Sequence, residues 1–424
     1  MVNLKGVRGA PDILPPESSR WHGLEEALHA ILLRYGYAEI RTPIFERTEV
    51  FVRGIGEGTD IVEKEMYTFT DQGQESLTLR PEGTAPVVRA YLEHQMGAQS
   101  PLVKVYYLGP MFRRERPQSG RYRQFHQLGV EAIGSDRPAV DADVVALLFA
   151  LLWEELRIPD LQLRLNSIGD VACQPQFRDR LRRYLLGRAS LLCQDCQARR
   201  ERNPLRVLDC KQEGCRQVVA EAPKPIESLC NACADHFVQV RSLLDLLKIT
   251  YTIDDRLVRG LDYYTRTTFE VINPNLGAQN AVAGGGRYDG LIEAMGGPAT
   301  PGIGFAVGLE RVLASIPAGA EEAATLRGVF IATVGEEAHA AGLLLLQELR
   351  RRGMRGLIDL ESRSLKGQMR QANKDRVRYC LILGTEELTR GEATLRDMAK
   401  AEQQPVALDQ VVVRLLKLEG AGGP

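Results

Sequence analysis

The residues best suited to chemistry form an arginine-rich segment at positions 106–127. The pattern predicts a strand, a polar loop and a second strand, with five arginines between positions 113 and 123. So many arginines are costly on a strand face unless an anion neutralises them, and the forked guanidinium suits phosphate and carboxylate. Phe125 adds a flat face for a base. On spacing alone, a solvated basic hairpin that binds nothing is the alternative interpretation.

Three further segments combine glycine, tyrosine and arginine. Segment 257–267 holds two adjacent tyrosines, a residue type more often half-buried with a wetted hydroxyl than bound to a ligand. Triple glycine opens segment 284–290, where the backbone could approach a ligand closely. In segment 302–311 glycines clear space and Arg311 follows in the first turn of a helix, although a packed turn with a surface arginine is the alternative. Neither a Lys-Ser/Thr phosphate loop nor a Gly-x-Gly-x-x-Gly fingerprint is present.

The elements that must position these segments are of two kinds. A helix should start at Ser18 or Ser19 and end at Gly36, because apolar residues recur there at helical spacing. The middle of the chain has successive strands with glycine turns, which predicts an antiparallel sheet. Beyond a linker at 315–327, strands alternate with helices and predict a small α/β domain with a parallel sheet.

Composition excludes a collagen-like, coiled-coil or wholly disordered chain, because 44% of the 424 residues are hydrophobic, as in ordinary globular proteins. The net charge of -1 argues against a protein coated in basic charge. The longest apolar run, 144–153, has half the ~20 residues that a membrane helix needs, so it predicts a buried helix. The N-terminus has no apolar signal core. We therefore expect a cytoplasmic protein without a membrane partner.

Six of the eight cysteines fall between positions 193 and 233. In a reducing compartment such clusters suggest a metal before disulfides. Two Cys-x-x-Cys pairs predict one structural zinc ion per chain. The two pairs offer Cys193, Cys196, Cys230 and Cys233 as ligands, but six cysteines exceed four ligands, so the choice of four stays open. Redox-active or free thiols are the alternative, and Cys210, Cys215 and His236 lie nearby in the sequence. We expect Cys173 and Cys380 to be small buried hydrophobes.

Taken together, the motifs resemble the class II aminoacyl-tRNA synthetases, and the histidyl-tRNA synthetase family most closely. The arginine-rich hairpin resembles the second motif of the class, and Gly308-Leu309-Glu310-Arg311 the third. Pro43 is placed like the first motif, a dimer-interface element. Segments 259–265 (Arg-Gly-Leu-Asp-Tyr-Tyr-Thr) and 79–85 (Leu-Arg-Pro-Glu-Gly-Thr-Ala) are similar to the family's histidine-binding and substrate segments. The resemblance covers nearly the whole chain.

The resemblance implies a role for each matching residue. Arg113 and Arg259 would be catalytic, approaching the ATP α-phosphate from opposite sides. The residues implied to bind histidine are Glu82, Gly83, Thr84, Arg113, Gln127, Glu131, Arg259, Tyr263 and Tyr264. The residues implied to bind ATP are Arg113, Glu115, Arg121, Phe125 and Arg311. Attack of a carboxylate on the α-phosphate builds negative charge, which positioned arginines and Mg²⁺ stabilise without a protein nucleophile.

The resemblance also implies the architecture and the activity. The fold would be α+β: an antiparallel catalytic sheet flanked by helices (1–165 and 248–320), an inserted helical module (166–247) and a C-terminal α/β anticodon-binding-type domain (328–424). The chain would be a homodimer that forms histidyl-adenylate from L-histidine and ATP, releases pyrophosphate, and transfers histidine to the 3′ end of histidine tRNA. Arginines of the inserted module would touch the tRNA acceptor arm, with a solvated helix face as the alternative.

A second function shares the same core. A catalytically silent regulatory paralogue of ATP phosphoribosyltransferase would also resemble this chain. As the family resemblance suggests, that paralogue lacks the C-terminal domain and degrades the segment around Arg259, and both are intact here. The sequence therefore favours the enzyme.

Overall fold

The computed structural model describes residues 4–118, 120–317 and 328–420. The chain divides at Pro317 into two compact units. The linker predicted at 315–327 lies mostly outside the described residues, since only its first three positions belong to them.

The N-terminal helix confirms the apolar spacing. Helix α1 spans Glu17–Arg34 and begins before the serines expected to cap it, because Pro16 takes the N-cap position. Its buried side chains are those that the spacing selected, namely Trp21, Leu24, Leu28, Ile31 and Leu32. The elements that follow in the first half of this unit are β1 (Ala38–Glu39), β2 (Phe45–Arg47), α2 (Thr48–Ile55), β3 (Tyr67–Thr70), β4 (Ser76–Leu79), α3 (Thr84–Glu93), α4 (Met96–Gln99), β5 (Val103–Phe112), β6 (Gln124–Ile133) and α5 (Pro138–Phe149).

The second half of the unit carries the inserted helices and returns to the sheet. Its elements are β7 (Gln162–Ser167), α6 (Gln174–Leu186), α7 (Gln194–Arg202), α8 (Glu213–Ala220), α9 (Asn231–Leu246), β8 (Thr252–Ile253), β9 (Thr265–Ile272), β10 (Ala281–Arg287), α10 (Leu291–Ala294), β11 (Gly302–Gly308) and α11 (Leu309–Ser315). Helix α5 continues as one π-helical turn, Ala150–Glu155. This is the apolar run expected to be buried, and none of the described helices is long and apolar enough to cross a membrane.

Within the described part of the chain, eight strands form the main sheet in the order β1-β5-β6-β11-β10-β9-β7-β8. The six central strands are antiparallel, as the glycine turns predicted. The two edge strands pair in parallel and are only two residues long. Strands β2, β4 and β3 form a smaller antiparallel sheet.

The helices α6 to α8 share a small hydrophobic core to which Val258 and Tyr264 also belong. Two arginines of α7 bond to acidic residues that follow α2: Arg199 to Asp60 at 2.7 Å and Arg202 to Glu63 at 2.9 Å. Arg199 is therefore paired and partly buried, whereas Arg202 is paired but still 68% accessible. Contact of the other module arginines with tRNA stays a prediction.

The second unit has the predicted alternation of strand and helix. Its elements are β12 (Val329–Val334), α12 (Glu336–Arg351), β13 (Gly356–Ile358), α13 (Leu365–Lys374), β14 (Tyr379–Gly384), α14 (Thr385–Arg390), β15 (Glu392–Asp397), β16 (Gln403–Ala407) and α15 (Val411–Gly420). Strands β13, β12 and β14 are parallel, as expected. The antiparallel pair β15 and β16 extends the sheet and was not predicted.

Candidate active site

One pocket of about 1050 Å³ opens over the glycine-rich strands of the main sheet. Twelve of the thirteen residues implied to bind histidine or ATP line it, namely Glu82, Thr84, Arg113, Glu115, Arg121, Phe125, Gln127, Glu131, Arg259, Tyr263, Tyr264 and Arg311. The thirteenth, Gly83, lies behind the wall: a Cβ there would meet the Tyr107 ring at 2.2 Å. The structure thus brings four distant segments of the chain to one place.

Glycines in two neighbouring strands, β10 and β11, make room for the pocket's side chains. Gly304 of β11 pairs with Glu131 of β6, and a Cβ at Gly304 would lie 2.0 Å from Oε2 of that glutamate. In the same way, a Cβ at Gly284 would meet the Arg259 guanidinium at 2.2 Å. The glycines were expected to clear space for a ligand. They first clear space for the protein groups that face it.

A buried acidic group closes one end of the pocket. Glu131 is 1% exposed, and its two oxygens accept hydrogen bonds from the Thr84 hydroxyl at 2.7 Å and the Tyr288 hydroxyl at 2.6 Å. Glu82 accepts bonds from the backbone N–H groups of Thr84 and Ala85, both at 2.8 Å. These hydrogen bonds hold both acidic side chains in place, and each keeps hydrogen-bonding capacity for a ligand.

Burial changes the protonation of these acids. It raises the pKa of Glu131 to about 8, against the opposing effect of the two hydroxyl hydrogen bonds, and the nearby charge of Glu82 adds to the rise. Burial likewise raises the pKa of Glu82. In the free protein at neutral pH, Glu131 therefore holds a proton that the unfolded chain would release.

This difference predicts a pH-dependent stability. Because the pKa of Glu131 rises from 4.5 to about 8 on folding, its contribution is full below pH 4.5 and is lost as the pH rises through 8. Glu131→Gln stays neutral, so its stability relative to the wild type should increase by on the order of 3 kcal/mol between pH 5 and pH 8. Thermal unfolding of both proteins without ligand, across that range, measures the difference.

The matched control for this prediction is Glu93→Gln. Glu93 is an exposed acid on α3, with its side chain 60% accessible and paired with Arg89. Its variant should show no such trend with pH. If the unfolding temperatures of Glu131→Gln and the wild type run parallel from pH 5 to pH 8, the raised pKa is wrong.

Beside the acids lies an acceptor without a partner. Oε1 of Gln127 is buried and makes no hydrogen bond to the described residues. A buried acceptor left unpaired is costly, so it indicates a donor that arrives with a ligand. Gln127 lines the same pocket as Glu131 and Thr84.

Tyrosines form the wall between the two ends. The rings of Tyr263 and Tyr264 lie 4.7 Å apart, and Tyr263 meets Tyr288 edge-on at 5.9 Å. Tyr107 and Tyr288 line the pocket but received no role from the sequence. Both are buried, and a buried tyrosine within a strand or turn looks like ordinary core, so only its contacts single it out.

The opposite end of the pocket is cationic. Burial and the neighbouring charges of Arg113 and Arg121 lower the pKa of Arg311. The Arg311 guanidinium donates to the backbone carbonyls of Ala281 at 2.6 Å and Gly120 at 3.1 Å. The Arg113 guanidinium lies 5.3 Å from the Phe125 ring centre. Three arginines without enough carboxylates to neutralise them form a site for a polyanion beside an aromatic face.

Two of the pocket's arginines have acidic partners. Arg121 is paired with Glu115, and Arg259 with Glu270 of β9. The pairing fixes the Arg259 guanidinium in the space over Gly284. Glu310, which the sequence placed in a motif without a role, also lines the pocket and accepts bonds from the backbone N–H and Nδ1 of His126.

The four cysteines predicted to share one zinc ion are not brought together. Cys193 and Cys196 lie in one group of possible ligands, and Cys230 and Cys233 in another. Cys173, expected to be a small buried hydrophobe, belongs to the second group. His236 lies in neither, since its ring faces Asp141 at 3.6 Å.

The pocket lies on an antiparallel sheet flanked by helices, between an arginine-rich hairpin and a glycine-rich strand that leads to Arg311. This arrangement defines the catalytic domain of a class II aminoacyl-tRNA synthetase. The family model described as Histidyl-tRNA synthetase matches residues 9–312, and one described as Anticodon binding domain matches residues 328–418. The chain belongs to the histidyl-tRNA synthetase family. The predicted family and fold class are confirmed.

Individual relatives agree over their full length. A histidine–tRNA ligase from Syntrophotalea carbinolica is 51% identical over 417 residues, which cover 98% of this chain and 99% of the relative. One from Desulforamulus reducens is 52% identical over 408 residues, covering 96% and 97%. The crystal structure of apo histidyl-tRNA synthetase from S. aureus is 38% identical, with a TM-score of 0.81 over 97% of this chain and all of that one.

Proposed function

We propose that this chain activates L-histidine with ATP, releases pyrophosphate, and transfers the histidyl group to the 3′ end of histidine tRNA. The observation that carries the proposal is that one pocket combines a buried acidic end, a tyrosine wall and a cationic end. An amino acid with a polar ring fits the acidic end, and a nucleoside triphosphate fits the cationic end. Relatives about half identical over their full length are histidine–tRNA ligases.

The acidic end would hold histidine. An imidazole needs a partner at each ring nitrogen, and Glu131 and the hydroxyl of Tyr264 supply an acid and a hydroxyl group. Glu82, Thr84 and the unpaired Oε1 of Gln127 would take the α-ammonium group. Because a site built to hydrogen-bond a polar side chain rejects apolar analogues by ~10⁴-fold or more, no editing step is needed.

The cationic end would hold ATP. Phe125 would stack on adenine beside Glu115, and Arg121 and Arg311 would bind the outer phosphates. Arg113 and Arg259 would flank the α-phosphate and stabilise the charge that grows there as the histidine carboxylate attacks. The P–O bond to pyrophosphate breaks as the new P–O bond forms, so the protein needs no nucleophile of its own.

Mg²⁺ would enter with ATP. Magnesium bound to nucleotide phosphates needs only one or two protein carboxylates, and Glu310 beside Arg311 is a pocket-lining carboxylate that fits this role. When bound, the ion would neutralise charge on the phosphates. Neither cysteine group lines the pocket, so zinc has no place in this chemistry.

The partners follow from the activity. The C-terminal domain would read anticodon bases exposed in a loop, as single-stranded RNA usually is, and a translation enzyme of this kind would act in the cytoplasm. A homodimer is supported by exposed apolar side chains next to Pro43: Ile44 and Phe45 are 45% and 51% accessible, and Phe45 meets the half-exposed Phe69. Such a patch favours a protein contact.

The regulatory alternative is less favoured. The chain carries the anticodon-binding domain that the silent paralogue would lack, and Arg259 is in place in the pocket. Its relatives at about 50% identity are histidine–tRNA ligases.

Amino-acid-dependent ATP–pyrophosphate exchange tests the proposal. Run without tRNA across all twenty amino acids with Mg²⁺ present, it should give exchange with histidine alone. Light scattering on the same sample should give twice the chain mass of 47.1 kDa, and a cooperative thermal unfolding transition shows that the protein is folded. Exchange with another amino acid would contradict the pocket assignment, and no exchange with any would favour the regulatory function.

A further inference from the structure

The inserted module holds two separate groups of metal-ligand atoms. In each group four ligand atoms lie within 4.8 Å of one another. We call the first the inner cluster (Cys193, Cys196, Cys210 and Cys215) and the second the root cluster (Asp170, Cys173, Cys230 and Cys233). Together they contain every cysteine of the chain except Cys380.

Both clusters are built on the same local design. Cys193 is the N-cap of α7 and Cys196 lies in its first turn, while Cys230 is the N-cap of α9 and Cys233 lies in its first turn. In each pair the sulfur of the N-cap cysteine accepts a hydrogen bond from the backbone N–H of the second cysteine, at the positive end of the helix dipole. The remaining ligands come from a different stretch of chain, which closes each group.

The spacing of the sulfurs fits a single tetrahedral ion. Four thiolates bound to zinc at about 2.3 Å lie roughly 3.8 Å apart. The Sγ atoms of Cys193 and Cys210 in the inner cluster are 3.9 Å apart, and so are those of Cys173 and Cys233 in the root cluster. A disulfide would need about 2.05 Å, and an iron–sulfur cluster binds its cysteines to different irons, which spreads the sulfurs further.

Hydrogen bonds already support the ligands. In the inner cluster the backbone N–H of Cys193 donates to the Cys215 sulfur at 3.2 Å, and in the root cluster that of Asp170 donates to the Cys173 sulfur at 3.4 Å. The free side of the Asp170 carboxylate is held by Arg266 at 3.2 Å. Such outer contacts orient metal ligands and offset their negative charge.

We propose that each chain binds two structural zinc ions, one in the inner cluster through four cysteines and one in the root cluster through three cysteines and Asp170. The inner site joins α7 to the start of α8, within the module. The root site joins the start of the module, at Asp170 and Cys173, to the start of α9. It lies beside β9, because Arg266 of that strand bonds to Asp170. The first ion would order the module and the second would fix it to the catalytic part.

Metal analysis of the untagged protein tests the proposal. Protein purified under reducing conditions without added metal should carry about two zinc ions per chain. Cys215→Ser should leave about one, and Cys173→Ser should also leave about one. Cys380→Ser is the matched control, because it removes a buried cysteine of the other unit, and it should keep both ions.

A second measurement avoids variants that fail to fold. A thiol reagent added to the native wild-type protein should release two zinc ions per chain, counted with a coloured chelator. Zinc at one per chain, lost in Cys215→Ser but unchanged in Cys173→Ser, would overturn the root site. Iron in place of zinc, or folded protein with reduced cysteines and no metal, would overturn both.

Discussion

Replacing Arg259 by alanine is expected to slow histidine-dependent ATP–pyrophosphate exchange by ~10²–10³-fold, the usual cost of removing one donor aimed at developing charge. Arg259 is held over Gly284 by Glu270, so its guanidinium is in place before substrate arrives. Its contribution should appear mainly in kcat, because the charge on the α-phosphate grows only in the transition state. The KM for histidine should change much less.

Arg256→Ala is the matched control for this prediction. It removes the same side chain three residues earlier, from a position where the guanidinium is partly exposed and contacts the backbone carbonyl of Ala220. Its exchange rate should stay within about threefold of the wild type, since surface substitutions usually cost little. Equal rates for the two variants would remove Arg259 from the mechanism.

Gly304→Ala should damage histidine use as severely, by a different route. A Cβ at this position would lie 2.0 Å from Oε2 of Glu131 and 2.3 Å from the backbone oxygen of Val130. The Val130 oxygen can give way only if β6 and β11 move apart locally, and the Glu131 carboxylate must shift as well. Because a displacement of about 1 Å in a binding group can cost 10²-fold, kcat/KM for histidine should fall by about that factor.

The kinetic pattern separates this effect from general unfolding. The KM for ATP should change little in Gly304→Ala, since the cationic end of the pocket does not contact this position. Gly290→Ala is the control: a Cβ there would meet nothing within 4 Å, and the residue has a negative φ. Wild-type use of histidine by Gly304→Ala would show that Glu131 does not bind the substrate.

The sequence located most of the pocket because its residues occur in compact motifs. Arg113 and Phe125 stand in one hairpin, and Arg259 stands four residues before the tyrosine pair. In such motifs the functional residues lie close together in the sequence, so they can be recognised without knowledge of the fold. The antiparallel sheet was also predictable, because glycine turns separate its central strands.

The cysteine partners could not be predicted in the same way. Spacing identifies the pairs Cys193–Cys196 and Cys230–Cys233, but it says nothing about which pair meets which other segment. The pairs were joined to each other, whereas the fold places each against a different stretch of chain. Asp170 gave no signal at all, since an aspartate before a cysteine is unremarkable until the chain folds back on it.

The place of two buried tyrosines in the pocket could not be predicted, for a related reason. Tyr107 and Tyr288 are almost wholly inaccessible and sit among apolar residues. Their part in the pocket rests on contacts across the sheet, such as the hydrogen bond from Tyr288 to Glu131. No local pattern encodes a contact between residues so far apart in sequence.

The root cluster brings Cys173 and Cys233 together, and this contact affects the cost of pairing the strands on either side of the inserted module. Strand β7 pairs with β9, so Ser167 must find Thr267, a hundred positions away. With Cys173 and Cys233 already 3.9 Å apart, the chain to be closed is less than half as long, and the entropy of closing it falls by roughly 0.8 kcal/mol. Folding of the module before the sheet would therefore offset part of the closure cost that the module's own length places between β7 and β9.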